Sequence, residues 1–130
     1  MVSIDTNIVV RLLVNDDTLQ TARAVDLFRT SRIFITKTVV LETEWVLRAV
    51  YSLDRKKVNA SIMALISLEG VVVEDEPVLF FALETHSKGM DFADALHLAS
   101  SQRANRFATF DTALRTKAKK QNIQPLVFLP

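Results

Sequence analysis

Val2-Ser3-Ile4-Asp5-Thr6-Asn7 begins apolar and ends abruptly in a carboxylate, a hydroxyl and an amide. It reads as a short strand that delivers Asp5 to the edge of a sheet. In a parallel α/β sheet the reactive groups gather beyond the carboxyl ends of the strands, so this stretch sets both the fold to expect and the place to look for chemistry.

The rest of the chain keeps to that plan. Ile8 to Val14 reads as a short helix, and Thr18 to Arg29 as an amphipathic one behind the polar break Asn15-Asp16-Asp17. Arg32 to Thr36 is short, apolar and β-branched, a second strand. Thr38 to Tyr51 has apolar residues at helical spacing, and Ser52 or Asp54 can cap a helix running to about Leu68 that Gly70 ends. Val71-Val72-Val73 is a third strand. Pro77 sits where a helix begins and Gly89 where one stops. Asp91 to about Asn105 forms another helix, Phe107 to Phe110 a fourth strand, Asp111 to about Gln121 a basic helix, and Leu126 to Leu129 a last strand. Strands alternating with helices imply a mostly parallel sheet of about five short strands covered on both faces, a three-layer α/β/α fold.

With 130 residues the chain fits one domain, spanning 1–130, with a core large enough to need no staples. It has no cysteine, which excludes disulfides, thiol nucleophiles and Cys-based zinc sites and suits a reducing compartment. The early apolar run is interrupted by Arg11 and lacks a basic leader, so no signal peptide or membrane span is expected and the cytoplasm is the expected location. Net charge is only +1, but it is unevenly spread. Bases cluster at Arg55-Lys56-Lys57 and at Arg115, Lys117, Lys119 and Lys120, whereas several acids lie within apolar segments. A positive rim around a negative pocket suits polyanion chemistry.

Asp5 and Asp111 are each the first polar residue after an apolar strand, and each is followed by a threonine at a helix start. Either alone could be an ordinary cap, worth about 1 kcal/mol. Two further acids are not explained that way. Glu42 has Val39, Trp45 and Val46 as its helical neighbours, and a lone charge in such surroundings is costly unless paired or bound to a cation. Glu44 lies on another face with Arg48 four residues on, a natural surface pair. Asp94 lies in the first turns of Asp91-Phe92-Ala93-Asp94-Ala95-Leu96-His97 with no lysine or arginine three or four residues away, while Asp91 serves as cap or as a second site acid. If Asp5, Glu42, Asp94 and Asp111 converge, each pair about 5 Å apart repels by roughly 3 kcal/mol at an effective dielectric near 20, and the pocket holds protons or a cation. Carboxylate oxygens alone suit Mg²⁺ or Mn²⁺, and phosphodiester displacement is the chemistry implied. His97 reads as structural, His86 as a surface residue, and Trp45 and Phe80-Phe81 as core or interface. Only two glycines are present, so there is no phosphate-cradling glycine loop and no nucleophile elbow.

Ile4-Asp5-Thr6-Asn7, Val40-Leu41-Glu42 with Trp45-Val46-Leu47, Asp91 to His97, and Thr109-Phe110-Asp111 resemble, in order, the four acidic motifs of PIN-domain nucleases, in particular VapC-type toxins of bacterial toxin–antitoxin pairs. The resemblance implies a Mg²⁺- or Mn²⁺-dependent endoribonuclease with Asp5, Glu42, Asp94 and Asp111 at the metal. Asn7 and Thr109 would be supporting polar groups, and Asp91 would assist through water. It also implies an RNA substrate, a homodimer and inhibition by a cognate antitoxin. Two alternatives compete: a haloacid-dehalogenase-like phosphatase, which wants a second aspartate where this chain has Asn7, and a PIN-domain RNA-processing nuclease or RNA-binding module that is not a toxin.

Overall fold

Val2 pairs with Ile33, and Ile33 in turn with Val71, so three short apolar runs distant in sequence lie side by side in parallel. The computed structural model describes residues 1–130. Its contacts divide the chain into two compact units, Met1–Glu76 and Pro77–Pro130.

The first unit holds β1 (Val2–Ser3), α1 (Thr6–Leu13), α2 (Thr18–Thr30), β2 (Ile33–Ile35), α3 (Lys37–Ala49), α4 (Arg55–Ile66) and β3 (Val71–Val73). Its strands lie in the order β1-β2-β3. Ile33 and Ile35 are fully buried, as are Val9, Val40, Leu47 and Ile62 from the helices that pack on one another and on the sheet. Parallel strands need such crossovers, because a tight turn cannot return the chain to the starting edge. Helix α1 begins two residues before the expected Ile8, because Asp5 rather than Asn7 supplies the cap. Of the two candidate caps for α4, Asp54 accepts from the Lys57 N–H at 2.9 Å, while Ser52 takes a left-handed turn conformation at φ 55°.

The second unit runs through α5 (Glu76–Ser87), α6 (Phe92–Ala99), β4 (Arg106–Ala108), α7 (Thr112–Lys120) and β5 (Leu126–Phe128). Strands β4 and β5 pair in parallel, Phe107 against Val127, and α7 packs on β5. The five expected strands all form and all pair in parallel, as a ladder of three and a ladder of two. Helix α6 is shorter than expected. Beyond Ala99 the residues are polar, and they satisfy the helix end instead of prolonging it: the Ser101 hydroxyl donates to the His97 carbonyl at 2.6 Å, and the Gln102 amide to the carbonyls of Leu98 and Gln124 at 3.1 and 2.9 Å. His86 is buried, not a surface residue. Its ring meets Phe92 edge-on, centroids 5.5 Å apart, because α5 turns its His86 side inward with Leu79, Ala82 and Leu83. No helix is long and apolar enough to cross a membrane.

One polar cluster ties the first unit together. The Arg11 guanidinium donates to Asp16 and, at 3.1 Å, to the Tyr51 hydroxyl, which donates to the other Asp16 oxygen at 2.7 Å. The end of α3 is thereby fastened to the α1–α2 connection. Replacing Tyr51 by Phe keeps the ring and removes the bridge, so Tyr51→Phe should lose about 1 kcal/mol of stability. In urea unfolding the midpoint should fall with an unchanged slope; an unmoved midpoint would mean that the ring alone fastens the turn.

Candidate active site

Asp5 stands where β1 gives way to α1. The backbone there is extended, at φ −91° and ψ 175°, and Oδ1 accepts the Ile8 N–H at 3.1 Å. That bond fixes the carboxylate in direction and leaves its second oxygen unengaged at an exposed position. The next side chain, Thr6, is buried with its hydroxyl unpartnered, and Asn7 is exposed. Strand β2 ends in the same manner, the Thr36 hydroxyl capping α3 through the Val39 N–H at 3.3 Å. Thr36, expected as the last strand residue, is thus a helix cap on the same carboxyl edge as Asp5; a β-branched hydroxyl ahead of a helical pattern was the available signal. The acid after β3 has another use. Glu74 accepts the Lys37 N–H at 2.9 Å, while Asp75 pairs with the Lys37 ammonium, so both brace the start of α3.

Glu42 rises from α3 on the exposed side, which overturns the expectation of a charge among apolar neighbours. The buried stripe of α3 is Val40, Thr43, Glu44 and Leu47, and Glu42 lies off it. The buried acid is Glu44, only 3% exposed. It is held by both prongs of Arg48, Nε to Oε2 at 2.8 Å and a terminal nitrogen to Oε1 at 3.3 Å. The expected Glu44–Arg48 pair therefore forms, but its carboxylate is inside. A carboxylate gripped in this way meets the need of a buried charge for a partner, whereas Glu42 stays available to a ligand. Trp45 is half exposed and belongs to no core.

In the second unit, Asp91 caps α6 by accepting the Asp94 N–H at 3.2 Å. Asp111 follows β4 and caps α7 through the Leu114 N–H at 3.1 Å. The Thr109 hydroxyl accepts the Asp111 N–H at 3.0 Å, and the Thr109 N–H donates to the Phe128 carbonyl, so β5 indirectly sets the angle of this acid. Asp94 is partly buried in the first turn of α6. Its carboxyl is raised above the ordinary aspartate value, first by burial and then by the charges of Asp91 and Asp111, with His97 and Lys117 pulling the other way. His97 itself is exposed, so it does not pack in the interior as a structural histidine would.

The structure thus places Asp91 and Asp111 near enough to act on Asp94 in the second unit, while Asp5 and Glu42 belong to the first. No three His, Cys, Asp or Glu side chains in either unit stand close enough to hold a metal ion by themselves. The donor chemistry nevertheless fits Mg²⁺ or Mn²⁺. Asp5, Asp91 and Asp111 each spend one oxygen on a helix N–H and keep one free, and such ions retain waters rather than demand a full protein cage.

The raised Asp94 carboxyl has a consequence for stability. The native state holds this proton more tightly than the unfolded chain does. The group's contribution is present in full below the ordinary aspartate value of 3.8 and is lost as pH rises through the higher folded one. Asp94→Asn should therefore raise the melting temperature in chelator at pH 7 by about 1–2 °C, a modest gain because solvent screens a partly exposed group. The gain should vanish below pH 4. An unchanged or lower value at pH 7 would refute the raised carboxyl.

Among known families, the PIN domain matches residues 2–120, a span that contains Asp5, Asn7, Glu42, Asp91, Asp94, Thr109 and Asp111 and runs through both units. No curated protein matches the chain. The chain belongs to the PIN domain family, whose fold is that of metal-dependent nucleases acting on nucleic acids.

Proposed function

We propose that this PIN domain is a Mg²⁺- or Mn²⁺-dependent endoribonuclease acting as the toxin of a VapC-type toxin–antitoxin pair. The observation that carries the reading is the family match extending over all four acidic motifs. The same match, continuous through both units, supports treating residues 1–130 as one nuclease domain. It also removes the phosphatase alternative, already weakened by Asn7. Asp5, Glu42, Asp94 and Asp111 are the proposed ligands, with Asp91 assisting and Asn7 and Thr109 in support.

The chain's own contributions follow from its hydrogen bonds. Asp5 and Asp111 are each held by a capping bond, so one oxygen of each is oriented without further ordering when a ligand arrives. Thr109 holds the backbone at Asp111 by accepting its N–H. Glu42, free of any ion pair, supplies charge from a helix rather than from a strand end. A divalent ion on these oxygens would lower the pKa of an attacking water and offset charge on the leaving oxygen. A cytoplasmic location accords with the absence of cysteine, and an antitoxin or a second copy of the chain accords with the exposed Trp45 and Val50, 52% and 60% accessible.

Incubated with RNA, the protein should cut in Mg²⁺ or Mn²⁺ and cease to cut in chelator. Asp5→Asn keeps a good helix cap while removing the charge, so it should retain the parent's melting temperature yet lose about 10²-fold or more in rate, equivalent to about 3 kcal/mol of transition-state stabilisation. Full activity of this variant, or cleavage undiminished in chelator, would refute the reading. For the toxin role, induced expression should arrest bacterial growth, and co-expression of a small DNA-binding protein encoded beside the gene should relieve it.

A further inference from the structure

Helix α7 buries Leu114 and Ala118 and carries bases on both flanks of that stripe, Arg115 and Lys119 on one side, Lys117 and Lys120 on the other. The two flanks border different cavities. Beside Arg115 and Lys119 lies one of about 380 Å³ whose lining includes apolar Ile123, Val127 and Phe128. Beside Lys117 and Lys120 lies one of about 500 Å³ lined by those two lysines, Lys88 and Gln121, with neither a carboxylate nor an apolar side chain in its wall. Three lysines lining one hollow make it electropositive, which an anion relieves. Lys88 touches Glu84 only through a long surface contact of 3.3 Å, which is readily exchanged for another acceptor.

The position of this cavity specifies the anion. Lys117 donates to the Gly89 carbonyl at 3.1 Å, two residues before the Asp91 that caps α6, the helix carrying Asp94. The lysine-lined hollow therefore borders the acid cluster of the second unit. We propose that Lys88, Lys117 and Lys120 form a phosphate-binding subsite that grips a phosphodiester of single-stranded nucleic acid flanking the one at the carboxylates. The proposal rests on the nuclease reading for its substrate class and on the cavity for its location. Lysine suits the task, since a point charge on a flexible stem takes a backbone phosphate without regard to the base. The subsite contributes affinity and register, and it carries no sequence preference.

The test compares two variants that remove equal charge, Lys88→Ala with Lys120→Ala, and Arg115→Ala with Lys119→Ala, leaving Lys117 in place because it also fastens Gly89. Binding of a fluorescent single-stranded oligonucleotide is followed by anisotropy in chelator over a range of salt. The first variant should bind about tenfold more weakly, with a log–log salt slope shallower by about 0.7, the value for one lost phosphate contact on a single strand. The second should lose less than about threefold. Equal losses in the two variants would overturn the proposal by reducing it to diffuse charge, and an unaffected first variant would overturn it outright. Inorganic phosphate binding as tightly as the strand would overturn it too, by making the hollow a site for a free anion. Since no metal is present, failure of the parent to cut RNA in a parallel assay with Mg²⁺ would count against the nuclease reading alone.

Discussion

Every strand in this chain lies parallel to its neighbour, and each of the first four must hand the chain to a helix before the next strand can begin. That handover exposes the unpaired N–H groups of a helix start at the carboxyl edge of each sheet. Asp5 and Thr36 in the first unit and Asp111 in the second answer the need, each offering a side-chain oxygen to the third residue on. Each edge is polar because the topology makes it so. Choosing Asp over Ser or Thr there adds a carboxylate at a position where any of them would close the helix.

The same constraint explains what could be read from the sequence. The strand-to-helix turns at Asp5 and Asp111 announce themselves, because a short apolar run stops at a capping residue. The strands at 33–35, 71–73 and 126–128 were legible simply as short apolar runs. Capping alone, however, does not mark a site: Asp17 and Asp54 cap α2 and α4 with the same geometry and lie in no acidic motif. Only their place at a strand end and their motif context set Asp5 and Asp111 apart.

Side-chain burial on helices was less legible. Around α3 the apolar residues are numerous enough to fit two stripes, and the observed one passes through Thr43 and Glu44 rather than along Glu42. A carboxylate can occupy such a stripe because Arg48 reaches it from four residues on, an effect that hydrophobic periodicity does not encode. His86 shows the same blindness, since it lies on the inward side of α5 against Phe92, which lies beyond its own helix. The end of α6 depended on Gln102 reaching a carbonyl 22 residues away in sequence, again a partner that local pattern cannot supply.

The capping role of Asp5 and Asp111 also separates the fate of the fold from that of its chemistry. Asparagine caps a helix about as well as aspartate, and the exchange needs a single nucleotide change in either aspartate codon. On the proposed reading, a gene for this chain can therefore fall silent as an enzyme in one step while its product still folds, persists and presents the same outer surface. Any partner that recognises that surface would go on binding the inert form, and a cell carrying both copies would find the silent one competing with the active one.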